Sequence, residues 1–165
     1  MKKVLFLLLA SCLLCLPSMA KKYRFQPMSS YEVLQVRVAQ EGTKFVKAWG
    51  VASNADKAIV QAQMNAIAAC LFTGVEATET AGRIPPICAQ EGDAYAINRT
   101  YFDNFFSTGE FLKYAKTVNT RYPSGEDNVK TPEGRKVGVY LQIMYDSLRK
   151  QMEKDGIVKS LGNYF

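Results

Sequence analysis

The chain contains no histidine at any of its 165 positions. That absence removes Ser-His-Asp and Cys-His nucleophilic sites, histidine-ligated zinc and most general-base chemistry near neutral pH. Carboxylate, lysine or tyrosine chemistry would remain, but no spacing along the chain marks such a pair. Cysteine is scarce: of four, Cys12 and Cys15 fall within the first fifteen residues. The apolar run from Val4 to Pro17 is too short to span a bilayer, which takes about 20 residues. The excess of positive charge, 21 basic against 15 acidic side chains, lacks the dense basic stripe of a nucleic-acid binder. Neither catalytic residues, metal, cofactor nor nucleic acid is expected, and the chain is not read as an enzyme.

The first twenty residues carry the clearest positive message. Lys2 and Lys3 precede an apolar run, and Ser18-Met19-Ala20 offers the small-x-small site of a signal peptidase. The expected organisation is a signal peptide over 1–20, a flexible basic arm over 21–31 and one domain over 32–165. Leu9-Ala10-Ser11-Cys12 also fits a lipobox, in which Cys12 would be lipidated and become the new N-terminus. Membrane association is expected only by that route. In either case the chain is read as exported, to the periplasm, the outer membrane or beyond. After cleavage at Ala20 only Cys70 and Cys88 remain. In an oxidising compartment an even pair suggests a disulfide, worth roughly 3 kcal/mol in the chain-entropy model. Cys70 could equally be a small buried hydrophobe at a helix end.

Past the arm, with its Lys21, Lys22, Arg24 and Pro27, two β-rich runs flank a turn at Gln40-Glu41-Gly42-Thr43. Val33, Val36 and Val38 mark the first run. In Lys44 to Ala52, Val46, Ala48 and Gly50 form one face and Phe45 and Trp49 the other, so the pair reads as a hairpin. Ser53 or Asn54 then caps a helix. Ala55, Ala58, Ala62, Ala66 and Ala69 recur at steps of three and four, a narrow stripe on which a helix backbone can approach a neighbour closely. Ile59 and Cys70 flank the stripe, Lys57, Gln61 and Asn65 lie opposite it, and Gly74 ends the helix.

From Val75 to Asp93 the chain is irregular, with Gly82, Pro85, Pro86 and Gly92, long for a connection inside a compact domain. Ala94 to Ser107 reads as a second helix, made aromatic by Tyr95, Tyr101, Phe102, Phe105 and Phe106. Those rings serve either as core or, with Arg83 of the preceding loop, as a contact surface for a protein or peptide. Glu110 to Val118 and Lys136 to Tyr145 read as strands around an exposed loop at Thr120 to Gly134. Asp146 or Ser147 caps a last helix with Leu148 and Met152 inward and Gly156 at its end. The order β-β-α-α-β-β-α predicts an α+β fold: an antiparallel or mixed sheet of about four strands with helices on one face.

Trp49-Gly50-Val51-Ala52-Ser53-Asn54, followed by Ala55-x-x-Ala58-x-x-x-Ala62-x-x-x-Ala66, resembles a signature of the small outer-membrane-associated lipoprotein family. The N-terminal domain of the flagellar assembly protein FlgT is similar. The likeness covers about residues 45–70 and implies a non-catalytic cell-envelope domain within a larger assembly. Its shared positions are packing positions, so it carries over no site residues. The stretch from Leu148-Arg149-Lys150 to Phe165 is also similar to the ends of small secreted Bacteroidetes proteins, which implies no mechanism.

Besides an enzyme pairing an aspartate or glutamate with a tyrosine, for which no motif names the members, two function classes follow. One is an envelope assembly or interaction module whose partner is another envelope protein or a second copy of the chain. The other is a carrier of a small molecule, lipid or glycan behind an aromatic wall. The intact mass of protein taken from its native envelope should correspond to a chain starting at Lys21. A diacylated Cys12 at the N-terminus would overturn that start.

Overall fold

A computed structural model describes residues 23–37, 39–89, 93–118 and 122–160. Residues 1–22, which include the expected signal peptide, Cys12, Lys21 and Lys22, lie outside the described residues. Strands β1 (Val33–Arg37) and β2 (Lys44–Ala52) form the expected hairpin. Gln40 C=O accepts from both the N–H (3.0 Å) and the hydroxyl (2.9 Å) of Thr43, and Gly42 takes the left-handed φ of +76° that closes the turn. β2 then pairs along its whole length with β5 (Gly134–Ile143). The far edge of β5 is shared end to end by β3 (Ala115–Thr117) and β4 (Asn128–Thr131). All pairings are antiparallel, giving an α+β fold on a five-stranded sheet.

Alternation along the strands divides the sheet into two faces. Val33, Val46, Ala48, Val137, Val139, Leu141 and Ile143 are buried beneath the helices. The other face is lined by its own side chains. Phe45 stacks on Tyr140, with centroids 6.1 Å apart, and Arg37 lies 4.7 Å above Phe45. Lys47 bridges Trp49 and Tyr140 at 5.0 Å each and pairs with Asp127 at 2.6 Å.

Helix α1 (Ala55–Ala68) is the alanine-striped helix, capped by Asn54 Oδ1, which accepts from Lys57 N–H at 3.0 Å. It continues through one wide turn at Ala69–Thr73 and stops at Gly74, φ +77°. Ala58, Ala62, Ala66 and Ala69 are buried, as the stripe requires. The reason for small residues is visible at Gly50. A Cβ there would lie 2.2 Å from Ala58 O and 2.4 Å from Ala62 N, so helix backbone rests directly on strand backbone. Asn65 departs from the expected outer position: it is buried, and its Nδ2 donates to Trp49 O at 2.8 Å.

Elsewhere the structure corrects the boundaries read from sequence. The segment after Gly74 folds into a small hairpin, with bridges Val75–Ile84 and Thr78–Ala81. It is fastened to the end of α1 by Ile87 N–H to Cys70 O and Cys88 N–H to Leu71 O, each 2.9 Å. The aromatic helix is broken at Asn98 into α2 (Ala94–Ile97) and α3 (Arg99–Ser107). Of the strand expected at Glu110 to Val118 only β3 is extended. Glu110–Lys113 is a 3-10 turn entered through Gly109 at φ +81°. The expected loop at 120–134 holds β4, which folds back on β5 across Pro132-Glu133. The last helix, α4 (Tyr145–Lys154), begins after Met144 instead of at Asp146 or Ser147, with Leu148 and Met152 fully buried as expected. No helix among the described residues is long and apolar enough to cross a membrane.

Replacing a strand glycine by alanine ordinarily stabilises by about 0.5–1 kcal/mol. Gly50→Ala should instead cost about 3 kcal/mol through overpacking, roughly 10 °C in Tm. Gly82→Ala, where a Cβ meets nothing within 4 Å, should melt close to wild type. Equal melting of the two variants would refute the backbone-on-backbone contact.

Candidate interaction site

The residues before β1 are docked, not loose, over 23–31. Tyr23 N–H donates to Ser107 O at 3.1 Å, and its ring meets Phe111 edge-on at 5.7 Å. Gly109 makes room for it, since a Cβ there would stand 2.7 Å from Tyr23 Cε2. Two residues on, Phe25 stacks on Phe106 at 3.9 Å and 17°, with Tyr95 and Phe72 around it at 5.5 and 6.4 Å. Residues i and i+2 of an extended segment point the same way, so a single passage of the arm seats both rings.

This settles where the sequence-predicted surface aromatics lie. Phe102, Phe105 and Phe106 are fully buried, which takes them off any contact surface. Packing prevails because α3 turns these rings toward Phe72, Tyr114 and Phe111 in the core. Tyr95 and Tyr101 are half-buried and tied down through their hydroxyls, to Asp103 (2.6 Å) and Asp155 (2.5 Å). Burial, then the hydrogen bond to Asp155, raises the Tyr101 phenol far above its ordinary value, while the same bond and that from Gln151 lower the Asp155 carboxyl. Only Arg83 remains outside, 3.7 Å from Glu76, and it is not gathered with the aromatics.

Cys70 and Cys88 are both buried. The two backbone bonds between 70–71 and 87–88 set their segments side by side. Burial pushes the Cys70 thiol up to about 12 and, with Cys70 beside it, the Tyr145 phenol to about 12. Tyr145 Oη donates to Pro85 O at 2.7 Å, adding a third fastening of the segment after Ile84. Among the described residues no group of three or more acidic or cysteine side chains is gathered as a metal cage requires.

A recess of about 440 Å³ lies against Tyr31, Phe72, Cys88 and Tyr95, and a wider one lies elsewhere. Between Phe25 and β1 the arm spans a cleft of about 930 Å³. Arg24, Gln26, Pro27, Met28, Ser30 and Glu32 form its near wall, and Trp49, Val51, Gln61 and Asn65 the far one. A recess of about 430 Å³ over Asp56, Lys57 and Val60 adjoins it and shares Arg24 and Gln61. Side-chain amides dominate the far wall. Gln61 Nε2 donates to Asn65 Oδ1 at 2.9 Å, and Asn65 passes the chain of hydrogen bonds to Trp49 O. Lys136 closes the outer rim on Glu32 at 2.8 Å. Sequence reasoning missed this site because its walls come from the arm, β2 and α1 at once. The available signals were Gln61 and Asn65, one helical turn apart, and the alternation of Tyr23 and Phe25.

Comparison of the chain with protein-family models, with curated proteins and with solved structures finds no match.

Truncating Phe25 to alanine should cost about 2 kcal/mol, since stacked aromatic pairs contribute about 0.5–1.5 kcal/mol beyond the area they bury. Thermal melting checks this. A Phe25→Ala protein that melts like wild type would mean that the arm does not hold the fold.

Proposed function

We propose that the chain is an exported cell-envelope protein that works by binding and not by catalysis, as an assembly or interaction module. One observation carries the reading: the arm is anchored at both ends and bridges a cleft of about 930 Å³ whose far wall joins the end of β2 to α1. Side chains there can recognise a partner, and the scaffold on which they sit is rigid. The export signal and the missing histidine support it from the sequence. The likeness of 45–70 to envelope lipoproteins and the FlgT domain points the same way, because the positions it shares build the scaffold under the cleft. The aromatic cluster that a carrier would use as a wall is occupied by Phe25. In an oxidising compartment Cys70 and Cys88 would join, locking the segment after Gly74 to α1.

A photo-crosslinking side chain placed at Met28, which is exposed in the cleft wall, should give a discrete adduct in intact envelopes, with another envelope protein or with a second copy. A protein that stays monomeric and gives no specific adduct would overturn the reading.

A further inference from the structure

We propose that the Gly50–Ala52 edge of β2 takes up an extended peptide segment of a partner protein as an added strand. The inference rests on the interaction reading above and names the chemistry of the partner. β1 follows β2 only as far as Val33 opposite Ala48 and the bond from Trp49 N–H to Glu32 O, 3.0 Å. There Val33 N–H donates to Tyr31 O, two residues back, at 2.9 Å, a contraction of the γ-turn kind that ends the extended run. β2 runs on for three residues, each paired with β5 on its other side: Gly50 with Val137, Val51 with Lys136, Ala52 with Arg135. Among the described residues no strand pairs with this last stretch on the β1 side.

Main-chain groups of alternate residues in a strand point to the same edge. Trp49 N–H points toward β1, so the N–H and C=O of Val51 point that way too, into the cleft. Val51 lines the cleft and is 38 % exposed. The preceding carbonyl on this edge, Trp49 O, is already taken by Asn65. The outer edge of β1 is treated differently. Thr78 Oγ1 donates to Gln35 O at 3.1 Å and Thr80 Oγ1 to Val36 O at 2.9 Å, so the hairpin after α1 caps it. An unpaired edge beside a cleft is the geometry of β-strand addition, in which main-chain bonds give affinity and alternate side chains give specificity.

Register fixes the ligand pattern. A residue opposite Val51 sets its side chain on the outer face of the sheet beside Val51, where a branched apolar group fits. Its neighbours point inward, toward the side of the sheet from which Gln61 and Asn65 reach the cleft, where hydroxyl or amide groups fit. The segment is therefore polar–apolar–polar.

The probe is a blocked hexapeptide of alternating threonine and valine. Added to the full chain, it should shift the backbone amide signals of Trp49 to Ala52 and alter the emission of Trp49, the single tryptophan of the protein. Val51→Pro removes an N–H that has no strand partner on that edge and sits where proline is tolerated. It should melt like wild type and bind about fivefold more weakly, the worth of one main-chain hydrogen bond. Val51→Ala, which keeps the main chain, should bind much as wild type does. Equal binding by Val51→Pro, or shifts away from Trp49 to Ala52, or no shift up to the solubility of the peptide, overturns the inference. The wild-type shift map decides even if the proline variant fails to fold. A Met28 adduct that persists in Val51→Pro would sink strand addition while leaving the interaction reading intact, whereas loss of any adduct in wild type sinks that reading itself.

Discussion

The contact between Gly50 and the Ala58–Ala62 turn of α1 governs the rest of the molecule. With Ala58 O and Ala62 N set over the glycine, no side chain separates helix from sheet. Interiors are close-packed and transmit displacement, so this contact fixes the height and direction of α1 along its whole length. One turn further on, Asn65 is brought within 2.8 Å of Trp49 O. About a turn and a half further still, Cys70 and Leu71 present the carbonyls that hold Ile87 and Cys88. The amide wall of the cleft and the fastening of the irregular segment are thus consequences of a single backbone approach. A larger residue at Gly50 would disturb both.

The parts of the fold legible in the sequence are those whose signal is local. A stripe of alanines at steps of three and four encodes α1, and a glycine at the third turn position encodes the β1–β2 hairpin. Gly74 and Gly156 mark helix ends because both adopt positive φ. What was hidden depends on distant residues. Phe111 and Leu112 read as strand, but Gly109 leaves the extended region to admit Tyr23, and the next residues are wound into a 3-10 turn. β4 hides among proline, glycine and charge because an edge strand with one neighbour needs little apolar surface. Asn65 reads as a solvent residue by its angle on the helix wheel. It is buried because a strand carbonyl needs a donor there, and a wheel contains no strand.

The arm shows the same limit in sharper form. Lys21, Lys22, Arg24 and Pro27 give 21–31 the composition of a solvated tail, and the aromatics of α3 give that helix the composition of a contact surface. Each reading is reasonable alone. Together they describe one interaction, because the aromatic group that α3 offers to a partner is met by Phe25 of the same chain. The sequence displayed a donor and an acceptor without the distance between them. Tyr31 adds to the arrangement from the other end, its hydroxyl accepting from Met28 N–H at 3.2 Å.

The cleft then follows from a conflict between two attachments. β1 must lie along β2, and Tyr23 and Phe25 must reach α3, which sits on the helical side of the sheet. A chain that continued straight from Val33 would pair with Gly50 to Ala52 and finish the edge, but it would then carry Phe25 away from its socket. Burial of Phe25 and Tyr23 contributes more than the one or two edge hydrogen bonds forgone, since each such bond nets only about 1 kcal/mol. The chain therefore bends at Tyr31–Val33, and Gln26 to Ser30 span the gap. An open strand edge is a hazard in any sheet, and this protein caps the comparable edge of β1 with Thr78 and Thr80. Beside the cleft the amides of Gln61 and Asn65 satisfy only Trp49 O, and Val51 is left facing a space wide enough for another chain. That the fold guards the outer edge of β1 and leaves a cleft beside the end of β2 is the physical ground for reading the latter as a place of contact.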